Sequence, residues 1–201
     1  MCEHAPAVSR STIIVLLALG ATFAGFVFAS NARLRGGDST VEPTAAAGPQ
    51  TADLGWREVY GQAGEQLVFT VDSLTVTESG WNAKIGIENG TKVAWELAPG
   101  ATPDGSFGLQ LFETGKKDEL DRRNNQRTLP AVRAATGFDP ALPRILEPAA
   151  SWKATISAPG PLLAGSYARV VFGTLVAVGK PPDGFQEVFV WITDHTYRLR
   201  R

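Results

Sequence analysis

GWNAKIGIENGTKVAWEL, residues 80–97, sets the fold class. Trp81, Ala83, Ile85 and Ile87 fall on alternate positions, with Asn82, Lys84 and Glu88 in the gaps. A period of two, with aromatic and β-branched residues on one side, is the pattern of a strand with one buried and one wet face. Asn89-Gly90 then predicts a turn, because both residue types tolerate positive φ. On the return strand that this turn predicts, Val93, Trp95 and Leu97 share a face.

Working outward, the same period recurs. Leu67, Phe69 and Val71 occupy odd positions, whereas Leu74 and Val76 occupy even ones. A slip of one residue reverses the faces of a strand, so a bulge or bend is predicted at Asp72-Ser73. Phe107, Leu109 and Leu111 repeat the pattern, as do Trp152, Ala154 and Ile156. YARVVFGTLVAV (167–178) and EVFVWIT (187–193) are apolar on both faces, which predicts central strands or strands covered on both sides. About seven or eight short strands separated by Gly and Pro turns predict an all-β, immunoglobulin-like antiparallel sandwich.

Residues 113–150 break the rhythm. GKKDELDRRNNQR (115–127) spaces its charges around Leu120 and predicts a short solvated helix; Pro130, Pro140, Pro143 and Pro148 follow. Connections of this length are uncommon in compact domains and often functional, the plain alternative being a crossover between sheets.

Ile85, Ile87 and Asn89 form an I-x-I-x-N segment ahead of the turn. Leu146, Pro148 and Trp152 form an L-x-P segment leading into a strand. Together these pieces resemble the telokin-like, immunoglobulin-type sandwiches of bacterial membrane-anchored or lipid-anchored proteins, over roughly 100 residues. The resemblance implies a fold and a location, and it supplies no catalytic residue. This chain departs from it at Ala149-Ala150, where a Pro-Gly turn is usual, and in the length of 113–150.

Ser11–Ala32 contains no charged residue. At about 1.5 Å per residue such a run crosses a hydrocarbon core of about 30 Å. It predicts a transmembrane helix over 11–32 behind a short cytoplasmic tail, residues 1–10. Val27-Phe28-Ala29 also fits a signal-peptidase site, but the length of the run favours a retained anchor. Residues 36–55 hold almost no large apolar side chain, and 33–55 read as a disordered linker, with the sandwich domain at 56–201. Arg10 before the run and Arg33 and Arg35 after it nearly balance once the amino terminus is counted. A short leading tail directly before an anchor is the common arrangement for an exported domain. A single-pass protein of the cell membrane, with its C-terminal domain extracytoplasmic, is therefore expected.

Several function classes are excluded. The net charge is −1 and no basic face is evident, which argues against a nucleic-acid partner. Cys2 is the only cysteine, so no disulfide forms within the chain. His195 is the single histidine of the domain, short of the three or four ligands that zinc needs. Asp118, Glu119 and Asp121 lack the glycine and spacing of a calcium loop. Asp194 and His195 are adjacent, so on a strand they face opposite sides, and His195 shares its face with Thr193 and Tyr197. No catalytic residue, cofactor or metal is expected.

Trp81, Trp95 and Trp152 are in phase with apolar neighbours and read as core, while Trp56 lies at the linker junction. Phe189 and Trp191 share one face of their strand, opposite Val188, Val190 and Ile192. With Lys117, Arg122 and Arg123 from 113–150 they form the candidate interaction surface. The expected function is a membrane-anchored binding or assembly module of the cell envelope. Its partners are membrane lipid through the N-terminal helix and an envelope protein or polymer. The alternatives are a subunit of a larger membrane complex, or a hydrolase of envelope polymer, which would carry two carboxylates in one concave pocket.

Overall fold

The structure, a computed structural model, describes residues 45–97 and 107–201. The predicted cytoplasmic tail, the transmembrane helix and most of the predicted linker lie outside the described residues. No helix among those described is long and apolar enough to cross a membrane.

The alternating stretches pair into two antiparallel sheets. In the first, β1 (Gln50–Gln62), β2 (Glu65–Val76), β3 (Gly80–Asn89), β9 (Ser151–Pro159) and β7 (Gly137–Asp139) lie side by side in the order β1-β2-β3-β9-β7. In the second, β10 (Tyr167–Val178) is the spine. Along one edge of it run β4 (Ala94–Leu97) and β5 (Gly108–Phe112), and along the other β11 (Val188–Ile192) and β12 (Tyr197–Arg198). Two short strands, β6 (Arg133–Ala134) and β8 (Ile145–Leu146), pair with β5 and β4. Among the described residues eight strands have four or more residues, and α1 (Lys117–Gln126) is the one α-helix.

The apolar faces meet between the sheets. Leu67, Phe69, Ile85, Ile87 and Ile156 from the first join Trp95, Leu109, Val170, Phe172 and Leu175 from the second in one core. The predicted slip is present: Val71 pairs with Ile85 and Ser73 with Lys84, which leaves Asp72 out of the ladder.

Two boundaries differ from the sequence reading. Residues 45–55 belong to the domain rather than to a linker. Ala46 bridges to Leu163, and β1 begins at Gln50, so Trp56 sits inside a strand. The half-buried Ala52 and Leu54 alternate with exposed Thr51 and Asp53. An edge strand that opens with so few large apolar residues has the composition of a tether. Asn89-Gly90, for its part, is not a hairpin. β4 pairs with β10 rather than β3, so the chain leaves one sheet here and enters the other.

Asn89 is needed at that corner for its hydrogen bonds. Its side chain is buried, and Nδ2 donates to the carbonyls of Val93 (2.9 Å), Leu146 (3.0 Å) and Glu147 (3.0 Å). Oδ1 accepts from the Thr91 N–H (3.0 Å) and hydroxyl (2.7 Å), and Trp95 Nε1 donates to that hydroxyl at 3.0 Å. Carbonyls that leave a ladder must find donors or stay unpaired in the interior.

Truncating Asn89 removes the side-chain donor to Leu146 and the acceptor of the Thr91 N–H, at about 1–3 kcal/mol for a buried group left unsatisfied, whereas the Val93 carbonyl keeps the Thr91 hydroxyl (3.0 Å) and the Glu147 carbonyl keeps the Ala150 N–H (3.0 Å). Asn89→Ala should therefore lower unfolding stability by about 2 kcal/mol in urea titrations, whereas Lys153→Ala, on the exposed face of β9, stays within ~0.5 kcal/mol.

Candidate functional site

β10 is buried on both faces. Val170 and Phe172 point into the core, and Arg169 and Val171 on the other side are no more exposed. The outer cover is the 113–132 segment, with Leu120 as the buried residue of α1. Arg169 ties that cover down. Its Nη1 donates to the carbonyls of Thr193 and Asp194, both at 2.6 Å, and Nη2 donates to that of Lys116 at 3.3 Å. The guanidinium lies over the Phe112 ring, 5.4 Å from its centroid. Burial pushes the Arg169 pKa down, while Asp194 and Glu58 pull it back up.

α1 starts at Lys116 without a side-chain cap and stops at Arg127, which takes the left-handed conformation (φ 56°). Beyond it the chain returns across the sheet, held by Gln110 Nε2 donating to the Pro130 carbonyl at 2.7 Å. Between this segment and β11 lies a cleft of about 530 Å³, within the size range of ligand sites. Leu129, Val132, Val171, Val190 and Ile192 give it apolar walls, and Asn124 and Gln186 add polar groups. Gln110 also lines it. That side chain is buried, and its Oε1 has no hydrogen-bond partner.

The candidate surface residues divide between core and cleft. Phe189 and Trp191 turn inward. Trp191 stacks on Phe69 (5.2 Å between centroids) and Phe189 packs on Tyr60 (4.9 Å) and Trp95 (5.4 Å), yet both also border the cleft. The exposed face of β11 is the opposite one, with Val188 and Val190 about half exposed. Lys117, Arg122 and Arg123 are each engaged by carboxylates: Lys117 by Asp194, Arg122 by Glu119 through both oxygens, and Arg123 by Glu119 and Glu113. The structure therefore brings the two aromatic residues to the cleft and commits the three cations to the protein's own acids.

His195 lies between β11 and β12, so strand alternation does not govern it. Its Nδ1 is 2.7 Å from Glu58 Oε1, its ring stacks on Trp56 at 5.6 Å, and its backbone N–H donates to the same carboxylate at 3.1 Å. Trp191 Nε1 donates to Glu58 Oε2 at 2.9 Å. Sequence reasoning passed over Glu58. The signal for it is the inward register Leu54, Trp56, Glu58, Tyr60, in which one charge interrupts an apolar set.

Asp72 and Asp139 meet in a hollow on the outer face of the first sheet, beside Lys84 and Lys153. At about 230 Å³ it falls below the roughly 300 Å³ from which ligand sites begin. No group of three or more metal-ligating side chains occurs among the described residues. Comparison with protein-family models, curated proteins and solved structures finds no match to this chain.

Hydrogen bonds from Arg123 first and Arg122 second hold the Glu119 carboxyl below its ordinary 4.5. Its stabilisation of α1 is thus complete above pH 4.5 and is lost as the pH falls through the lower, folded-state value. Melting temperatures of wild type and Glu119→Gln should differ at pH 7 and converge in acid well below pH 4.5. A gap that stays constant down to that acid range would remove the ion pairs as its source.

Proposed function

We propose that the chain is a membrane-anchored, extracytoplasmic binding module of the cell envelope, and that its two sheets form an immunoglobulin-like sandwich. The cleft between the 113–132 segment and β11 is its contact site. The observation that supports the binding reading is the pairing, in one cleft of about 530 Å³, of apolar walls with the polar side chains of Asn124 and Gln186. A partner with an N–H or O–H beside an apolar group suits such a site, as a peptide segment or a substituted polymer end does. The charge-free run at 11–32 supports the anchor. An alternative role as a subunit of a larger membrane complex draws on the half-exposed Val178, Val188 and Val190, an apolar patch next to the cleft.

Cys2 offers a direct test of topology, because it is the only thiol. In intact spheroplasts a membrane-impermeant maleimide should leave Cys2 unmodified and should react once the membrane is permeabilised. The chain should stay in the pellet after alkaline carbonate extraction. Photo-crosslinking side chains at Leu129 or Val190 should capture the partner, whereas one at Lys153 should not. Modification of Cys2 from outside, or equal capture at all three positions, contradicts the reading.

A further inference from the structure

A second concavity, of about 590 Å³, lies at the end of the domain where the chain enters it. It is lined by Ala164, Gly165, Tyr197 and Leu199 together with Arg198, Arg200 and Arg201, and among the described residues no acidic side chain contributes to it. The entering chain is fastened to the same place. The Ala164 N–H donates to the Ala45 carbonyl at 2.9 Å, the Gly48 N–H to the Arg200 carbonyl at 3.1 Å, and Tyr197 Oη to Gln50 Oε1 at 3.2 Å. Arg198 and Arg200 are exposed and form no ion pair with another described residue. Arg198 lies over the Tyr167 ring, 5.8 Å from its centroid. The carboxylates of Glu113 and Asp194, toward the same end, are paired with Arg123 and Lys117, and Glu78 stands on the neighbouring turn. At the far end of β10, Glu65, Glu147, Asp183 and Glu187 outnumber Lys92 and Lys180.

We infer that this arginine-lined end docks on an anionic phospholipid surface, with lipid phosphates entering the concavity. The inference rests on the anchor reading above. Two observations carry it. The first is complementarity: the Arg198 and Arg200 guanidinium groups, which pair with no described carboxylate, match the geometry of phosphate oxygens. The second is chain length. Residues 33–44 separate the apolar run from Ala45, and twelve residues span at most about 40 Å when fully extended. The basic end is therefore the one that the chain brings to the membrane, and the acidic end is the one repelled from it. Each arginine near an anionic surface strengthens attraction by about fivefold. Neutralising Arg198 and Arg200 should then shift the docked-to-free ratio by roughly 25-fold.

The experiment uses the full chain reconstituted in vesicles of phosphatidylcholine alone or with 40% phosphatidylglycerol. In a Cys2→Ser background, a fluorophore is placed at Ser79→Cys, on the turn bonded to Gly160 near the concavity, or at Asp183→Cys at the far end. Energy transfer to headgroup-labelled lipid is then read. Docking predicts higher transfer from position 79 in anionic than in neutral vesicles, and low transfer from position 183 in both. The rise at 79 should be lost with R198Q/R200Q or in high salt, and kept with R198K/R200K. Equal transfer in the two lipids overturns docking while leaving the anchor intact. Failure to float with either vesicle overturns both. Inorganic phosphate at constant ionic strength should leave transfer unchanged; if it abolishes transfer, the concavity is a site for a free anion and the surface docking is wrong.

Discussion

β10 has no wet side along the half that carries Arg169 and Val171, and both of its surfaces must be kept from water. One surface packs against β2 and β3 in the core, as the tilted contact of Phe172 with Phe69 at 5.0 Å illustrates. The other cannot be covered by a sheet, because the remaining long strands are already paired in the first one. The chain solves this with the long connection, which lays α1 and the 128–132 return across the outer face. Burial of Phe112, Leu120 and Val171 drives this cover, at about 1.5–3 kcal/mol for each fully buried large side chain. The cover stops short of Val178, Val188 and Val190, and the cleft lies along its margin.

Two polar side chains make the architecture specific. Asn89 binds three carbonyls where strands leave their ladders, and Arg169 binds three more where the cover and the 193–195 turn meet. Each concentrates on one residue the satisfaction that a ladder spreads along a strand. Arg169 is the costlier device, because it buries a charge whose Nε finds no acceptor. What it gains is register. The turn that it clamps is the one from which Asp194 reaches Lys117 and His195 reaches Glu58.

The strands were legible where one face is apolar and the other wet, as in β2, β3 and β9, and the bulge at Asp72 was legible because the phase change is local. The α1 helix was legible from the spacing of its charges around Leu120. What stayed hidden depended on partners distant in sequence. Asn89-Gly90 has the composition of a hairpin turn, and only the pairing of β4 with β10 makes it a corner. Ala52 and Leu54 are two apolar residues among Thr51, Asp53 and Gly55, too short an alternation to separate an edge strand from a tether. The cleft was half legible. Phe189 and Trp191 were chosen for their bulk, yet they point inward, whereas Gln110 lies 79 and 81 positions from them in sequence and reaches the same cleft only through the pairings of β10.

The binding role proposed above draws on the margin of the cover, where the cleft lies. Such a cleft requires the outer face of β10 to be sealed over one half and bare over the other. Hydroxyl-radical footprinting of the full chain reads this directly. Val178, Val188 and Val190 should be labelled in the native state, while Phe112, Leu120 and Val171 stay unlabelled until the chain unfolds. Comparable native-state labelling of the two sets would mean that the 113–132 segment does not cover the sheet, and the cleft along its margin would go with it.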